Sequence, residues 1–365
     1  MPALDALART LDELIDDGSI AGWAAGVADD AGQVARTGGL RTLEGQGMSE
    51  DTQLVLSSNT KPMAGALAMR LVELDVIDLD EPVDPWLPEL AQPRALVSPE
   101  ADLTATVPAD RPITLRHLLT MTPGFGWVSE PGPLAEAMGE RGLQPGPWGP
   151  QMSPDEFMGR LGGLPLANHP GTAWRYHTSS EALAVLLARA SGRTVPELLD
   201  EHLLRPLGLT GTTFTGDPDR MATPLAPSAT GGLAPFELPV GTYVAEPEFP
   251  SLATGLVSTV GDQLTFLRSL VGGPGVLTPE SVAAMRSDAL TDEQRSTATG
   301  FIGPDCGWGL HVEVRPDGLI GWAGGMGTIG YADPRTGRAA FLATQVTVGA
   351  PGTTTAFDHF WSLFD

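Results

Sequence analysis

The sequence predicts an α+β protein in which strands near both chain ends bracket a helical middle, and three observations carry that prediction. Short apolar runs broken by Asp/Gly turns fill residues 22–56 and recur after Cys306. The stretch between is rich in proline and glycine yet carries apolar residues at helical spacing. A hydrophobic content of 42% over 365 residues suffices for one large domain or two intimate lobes. The expected division is a sheet-bearing part from residues 1–75 and 246–365, and a mainly helical part with long loops from residues 76–245.

The elements follow in order. Leu4, Leu7, Leu11, Leu14 and Ile15 place an amphipathic helix over Ala3–Ile20 that packs on a sheet. AGWAAGVAD and TQLVLS read as strands separated by the turns DDAG and TGG. SSNTKPMAGALAMRLVELDVIDLD reads as a buried helix, capped by serine, that opens within a residue or two of Ser58. Helices are expected in ITLRHLLTM, SPDEFMGRL and SSEALAVLLARASG. Residues 125–152 hold two tryptophans among prolines and glycines, a lid or pocket wall on one reading and ordinary loop packing on the other. A helix at DQLTFLRSLV precedes the strand candidates CGWGLHVEV, LIGWAGG, TIGYADP and AAFLATQV, and a short helix ends in FWSLF.

Composition narrows the function. A formal charge of −24 without any basic block repels phosphate backbones and anionic lipid, so nucleic acid and membrane are not expected partners. The first twenty residues carry acids where a secretion signal has a basic end and an apolar core, and the expected location is cytoplasmic. One cysteine, Cys306, allows no internal disulfide, and no Cys/His cluster has zinc-ligand spacing, so no metal or other cofactor is expected. His117 reads as a core or capping residue, and His177 as a side chain pointing away from the site.

Of the 21 basic residues, only Lys61 is lysine. Arginine stays protonated, whereas a buried lysine can be neutral near pH 7 and accept a proton. Ser58 stands three residues earlier at the opening of a helix, which puts both side chains on one face about a turn apart. Ser57 has no lysine at that offset.

This segment resembles the Ser-x-x-Lys helix of the penicillin-recognising, β-lactamase-like serine hydrolases, which include class C β-lactamases, D-alanyl peptidases and family VIII carboxylesterases. ITLRHLLTMTPGF and GLVSTVGDQLTFLRSL resemble two further segments of that superfamily, so the likeness spans most of the chain. It implies a mainly antiparallel sheet built from both chain ends and flanked by helices, beside a helical lobe, with the site between them. It also implies Ser58 as acylated nucleophile and Lys61 as its base. In GTAWRYHTSSEALAVLLARASG the family's Tyr-x-Asn becomes Tyr176-His177-Thr178: Tyr176 is retained as proton relay, and Thr178 stands where asparagine would contact substrate. A phenolate is expected at Tyr176 if Lys61 is cationic.

The family's Lys-Thr-Gly strand is matched by Trp322-Ala323-Gly324, close to the tryptophan-glycine-glycine form of the esterases. Lactam and peptide substrates present a carboxylate that Lys-Thr would bind, and Trp322 and Ala323 offer no such partner, so an uncharged ester or amide fits better. By the same resemblance the Gly325 N–H joins that of Ser58 in an oxyanion hole. Phe125, Trp127, Trp148 and Tyr243 complete the candidate substrate contacts. The expected activity is hydrolysis of short-chain carboxylic esters through an acyl-enzyme. The alternatives are an amide-directed relative (lactamase, D-aminopeptidase, acyltransferase) and a non-catalytic binding relative.

Overall fold

The computed structural model describes residues 2–298 and 300–365. The elements that position the site are α1 (Pro2–Asp16), β1 (Gly22–Asp29), β2 (Gly32–Gly39), α2 (Lys61–Glu73), α3 (Leu115–Leu119), α4 (Pro154–Gly162), α5 (Thr178–Ser191) and α6 (Val260–Ser269). They are followed by β3 (Gly307–Trp308), β4 (Glu313–Val314), β5 (Ile320–Gly324), β6 (Thr328–Ala332), β7 (Ala339–Ala343) and α7 (Pro351–Phe360).

These strands form one sheet in the order β2-β1-β7-β6-β5-β4-β3 with every pairing antiparallel, so the fold is the β-lactamase/transpeptidase-like α+β architecture that the resemblance implied. Side chains alternate across a strand, and both faces of the sheet are covered. On β1, Trp23, Ala25 and Val27 join the cluster under α1 and α7, while Ala24 and Ala28 face α6 and the main core. On β7, Ala340 and Leu342 face the first layer and Phe341 the second. A Cβ on Gly26 would come 2.7 Å from Leu264 of α6, so glycine there permits the close helix-on-sheet approach.

Three details differ from the sequence reading. Helix α1 ends at Asp16 rather than Ile20, because Gly18 (φ 78°) turns the chain and the Ser19 and Ile20 amides fold back to donate to the Leu14 carbonyl. CGWGLHVEV is two short strands, not one: Glu313 pairs back onto Trp308 around His311, which has φ 67°. No serine side chain caps α2; a 3-10 turn, Ser57–Thr60, leads into it instead. His117 does cap: its ring accepts from the Thr114 amide while the Thr114 hydroxyl accepts from its own.

Helix α5 is buried continuously from Thr178 to Leu187 and packs on both α2 and α3, which explains why that stretch is small or apolar apart from Glu181. A two-residue ladder, Leu54–Val55 against Val257–Ser258, lies outside the large sheet. With the Leu56 amide donating to the Leu256 carbonyl at 2.9 Å, it ties the approach to Ser58 against the segment that follows Ala253. Among the described residues no helix is long and apolar enough to cross a membrane.

Candidate active site

Ser58 sits on the 3-10 turn just behind a residue in a costly conformation. Ser57 has φ 48°, the left-handed region that non-glycine residues rarely occupy, and such strain concentrates where a side chain must be aimed. Lys61 opens α2 one turn later and is completely buried. Its Nζ donates to Ser58 Oγ at 3.1 Å and to the Ala253 carbonyl at 3.0 Å, and lies 4.6 Å from the centre of the Tyr176 ring. Burial pulls the ammonium down from its ordinary 10.5 to about 7, against a smaller opposing pull from the negative charge of Glu181. An amine in that range is partly neutral at physiological pH and can take a proton across the 3.1 Å contact.

Tyr176 stands over this pair in an extended segment that precedes α5. Its hydroxyl accepts from Trp322 Nε1 at 2.7 Å and is also hydrogen-bonded to Ser58. Burial raises the phenol well above its ordinary range, and these two hydrogen bonds oppose that only in part. The expectation of a phenolate is therefore reversed: Tyr176 holds its proton and is poised to donate it. The ring is fixed by neighbours the sequence reading did not single out. Trp174 stacks on it (centroids 5.5 Å, planes at 15°), Phe301 lies 4.7 Å away, and Trp308 meets Trp322 edge-on at 4.8 Å.

The remaining candidates separate into those the fold gathers and those it disperses. Gly324 and Gly325 lie against the turn that bears the nucleophile: a Cβ on Gly324 would meet the Leu56 carbonyl at 2.0 Å, and one on Gly325 would come 3.5 Å from Ser57 Oγ. Ala323, between them and Trp322, points to the opposite sheet face and packs with the α1/α7 cluster, because the strand alternates. Its side chain is no substrate contact. Phe125 is likewise misassigned: it is core, packed with Leu90, Met138 and Leu161 inside the helical part.

Trp127 is 40% exposed and meets Phe301 edge-on at 5.6 Å, while its amide donates to the Tyr176 carbonyl, so it borders the aromatic group around Tyr176. Trp148 and Thr178 line a neighbouring cavity of about 550 Å³. Tyr243 acts as a staple: its hydroxyl donates to the Pro147 carbonyl at 2.8 Å, with the Thr254 carbonyl 3.2 Å away.

His177 does not point away as expected. It is buried with φ 81°, its ring lies 5.9 Å from that of Tyr176, and its Nε2 is 3.6 Å from Glu181 Oε1. Glu181, which the sequence reading passed over, is a buried carboxyl that accepts from Ser251 Oγ at 2.8 Å. Two signals were available: Trp174 is two residues before Tyr176 and shares its face in an extended chain, and Glu181 is the one acid in the helical run SSEALAVLLARAS. No sequence signal marks the Ala253 carbonyl. Among the described residues no three His, Cys, Asp or Glu side chains converge as a metal site.

Comparison with known proteins identifies the family of the chain. Residues 7–359 match the family model described as Beta-lactamase. Protein Rv1367c of Mycobacterium tuberculosis is 33% identical over 312 residues, covering 79% of this chain and 76% of its own. Esterase EstB of Burkholderia gladioli is 29% identical over 332 residues, covering 82% and 79%. The solved structure of EstCE1, described as a hydrolase with promiscuous acyltransferase activity, superposes with a TM-score of 0.83 at 25% identity, covering 99% of this chain and all of that one.

Proposed function

The chain belongs to the β-lactamase family of serine hydrolases, and from that premise we propose that it is a carboxylesterase acting through a Ser58 acyl-enzyme. The observation that carries the choice of ester is the 2.7 Å hydrogen bond from Trp322 Nε1 to the Tyr176 hydroxyl. The indole's single donor is committed to the phenol, so β5 offers no cation and no free hydroxyl at Trp322 and Ala323 to a substrate carboxylate, and an anionic lactam would be desolvated there without a partner. EstB bears the name of an esterase, which supports the same reading.

In this mechanism Ser58 Oγ attacks the ester carbonyl as Lys61 Nζ takes its proton, and negative charge gathers on the carbonyl oxygen. The Ser58 and Gly325 amides are assigned to that oxygen; a side-chain carbon on Gly325 would reach within 3.5 Å of Ser57 Oγ, so the two segments are adjacent, which supports the pairing. Tyr176, still protonated, gives its proton to the departing alkoxide and is recharged from Lys61. Water then adds to the acyl-enzyme as Lys61 takes its proton, and Ser58 Oγ leaves as the tetrahedral adduct collapses to the acid, receiving that proton back from Lys61 to regenerate the hydroxyl. With an alcohol in place of water the same steps yield a new ester, and the description of EstCE1 favours testing that second outcome.

The deciding experiment is intact-mass analysis after fluorophosphonate treatment, together with hydrolysis of p-nitrophenyl butyrate, for the parent and Ser58→Ala. Adduct and turnover in the parent, both abolished in the variant, are expected. Labelling at another residue, or turnover of a chromogenic cephalosporin that rivals the ester, would overturn the proposal.

A further inference from the structure

A lysine serves as base only while its lone pair faces the proton it is to take, and on a flexible stem that direction is set by where the N–H bonds go. Among the described residues the partners of Lys61 Nζ are Ser58 Oγ at 3.1 Å and the Ala253 carbonyl at 3.0 Å. With an N–H held on Ala253, the lone pair of the neutral amine is left for Ser58. The aim of the base therefore depends on what holds the Ala253 carbonyl.

Ala253 sits in a turn, residues 251–255, that has one hub. Ser251 Oγ accepts from the Ala253 amide at 3.2 Å and from the Thr254 amide at 3.1 Å, and the Ser251 carbonyl accepts from the Gly255 amide at 3.0 Å. A hydroxyl has one proton and two lone pairs. The proton goes to Glu181 Oε1 at 2.8 Å, which leaves both lone pairs for the two amides. Downstream, the Leu256 amide donates to Thr60 Oγ1 at 3.3 Å and its carbonyl accepts from the Leu56 amide, so that end is tied to the segment bearing Ser58. Glu181 ties the other side to α5. Ser251, Ala253, Thr254 and Glu181 are all buried, where water does not replace a lost hydrogen bond.

We propose that Ser251 is a positioning residue for the general base: with its proton held by Glu181, it fixes the turn so that the Ala253 carbonyl aims the Lys61 amine at Ser58. The inference rests on reading Lys61 as the base of Ser58. It also accounts for a buried acid in the otherwise small or apolar first turns of α5.

The rate at which a fluorophosphonate labels Ser58 at about pH 9, followed by intact mass, tests this without an ester. Lys61, at about 7, is neutral there, so the charge of Glu181 no longer decides how much base is present. The labelling rate at saturating reagent reads the activation of Ser58, and the half-saturating concentration reads binding. Ser251→Ala frees the turn, and Glu181→Met removes the acceptor of the Ser251 proton at similar side-chain length. Each is expected to lower the saturating rate about tenfold and to leave the half-saturating concentration within about twofold. Because both act through one turn, the combined variant should lose no more than about threefold beyond the larger single loss. Calorimetry shows which variants are folded, and Glu181→Met carries the test if Ser251→Ala is not.

Unchanged saturating rates, losses confined to the half-saturating concentration, or single losses that multiply in the combined variant overturn the positioning role. Parallel hydrolysis of p-nitrophenyl butyrate separates the two readings. Ester turnover by the parent, with labelling equally fast in both variants, removes the positioning role and leaves the esterase. Labelling that slows in the variants, without ester turnover by the parent, removes the esterase and leaves the positioning role.

Discussion

Acidification is the perturbation that interrogates Lys61 most directly. A general base works only when deprotonated, and burial brings Lys61 down to about 7. Activity must therefore rise with pH through that value and level off above it. At pH 5.5 a base of this pKa is neutral in roughly 3% of molecules, so kcat/KM should lie about thirtyfold below its plateau. The assay is p-nitrophenyl butyrate hydrolysis from about pH 5 to 9, followed at the isosbestic wavelength of the nitrophenol product, with full activity regained on return to neutral pH to exclude acid unfolding. Glu181 opposes the downward shift, so Glu181→Gln should move the limb to lower pH. A profile flat across the window, or a limb near the ordinary lysine value of 10.5, would refute Lys61 as the base.

Four further outcomes are expected. In the native protein Lys61 loses its proton near 7 but in the unfolded chain near 10.5, so between those values the unfolded state binds more protons and this group's contribution to stability rises with pH. Lys61→Met removes that dependence, and its Tm relative to the parent should be more favourable at pH 6 than at pH 9; an unchanged gap on calorimetry would contradict a buried, shifted amine. Tyr176→Phe keeps the stack on Trp174 and should leave Tm nearly unchanged while lowering kcat about hundredfold or more; steady-state kinetics with little loss would remove the proton relay. Trp322→Phe deletes one N–H bond to that phenol, which at about 1 kcal/mol corresponds to a fall in kcat of about fivefold with KM little altered, and a change confined to KM would reassign Trp322 to substrate binding. Gly324→Ala forces a Cβ to within 2.0 Å of the Leu56 carbonyl and 2.3 Å of Thr328 Oγ1, so a loss of about 1–3 kcal/mol is expected by denaturant titration; parental stability would show that the turn before Ser58 is free to move.

Most of the sheet was legible because strand alternation and turn chemistry act over a few residues. AGWAAGVAD, LIGWAGG, TIGYADP and AAFLATQV all became strands, whereas TGG, read as a turn, is the end of β2, TQLVLS yields only a two-residue ladder outside the sheet, and CGWGLHVEV failed at a left-handed histidine that no periodicity reports. Errors in the site have the same character. Phe125 and Trp127 are two residues apart, yet one is buried core and the other 40% exposed, and composition cannot separate them because aromatic side chains serve both environments.

What the sequence determined by itself is what one helical turn or one strand repeat can carry. Ser58 and Lys61 are a turn apart, so their 3.1 Å contact follows from local geometry, and a chain with a single lysine identifies which amine is involved. The placing of Tyr176 and Trp322 rested on resemblance; that the indole would donate to the phenol, 146 residues away in sequence, was decided only when β5 and the segment before α5 met. The same holds for the Ala253 carbonyl, 192 residues from the lysine it orients, and for the aromatic packing and burial that keep Tyr176 protonated and bring Lys61 near 7. Desolvation is a property of everything packed around a group, and so these protonation states belong to the tertiary structure rather than to any motif.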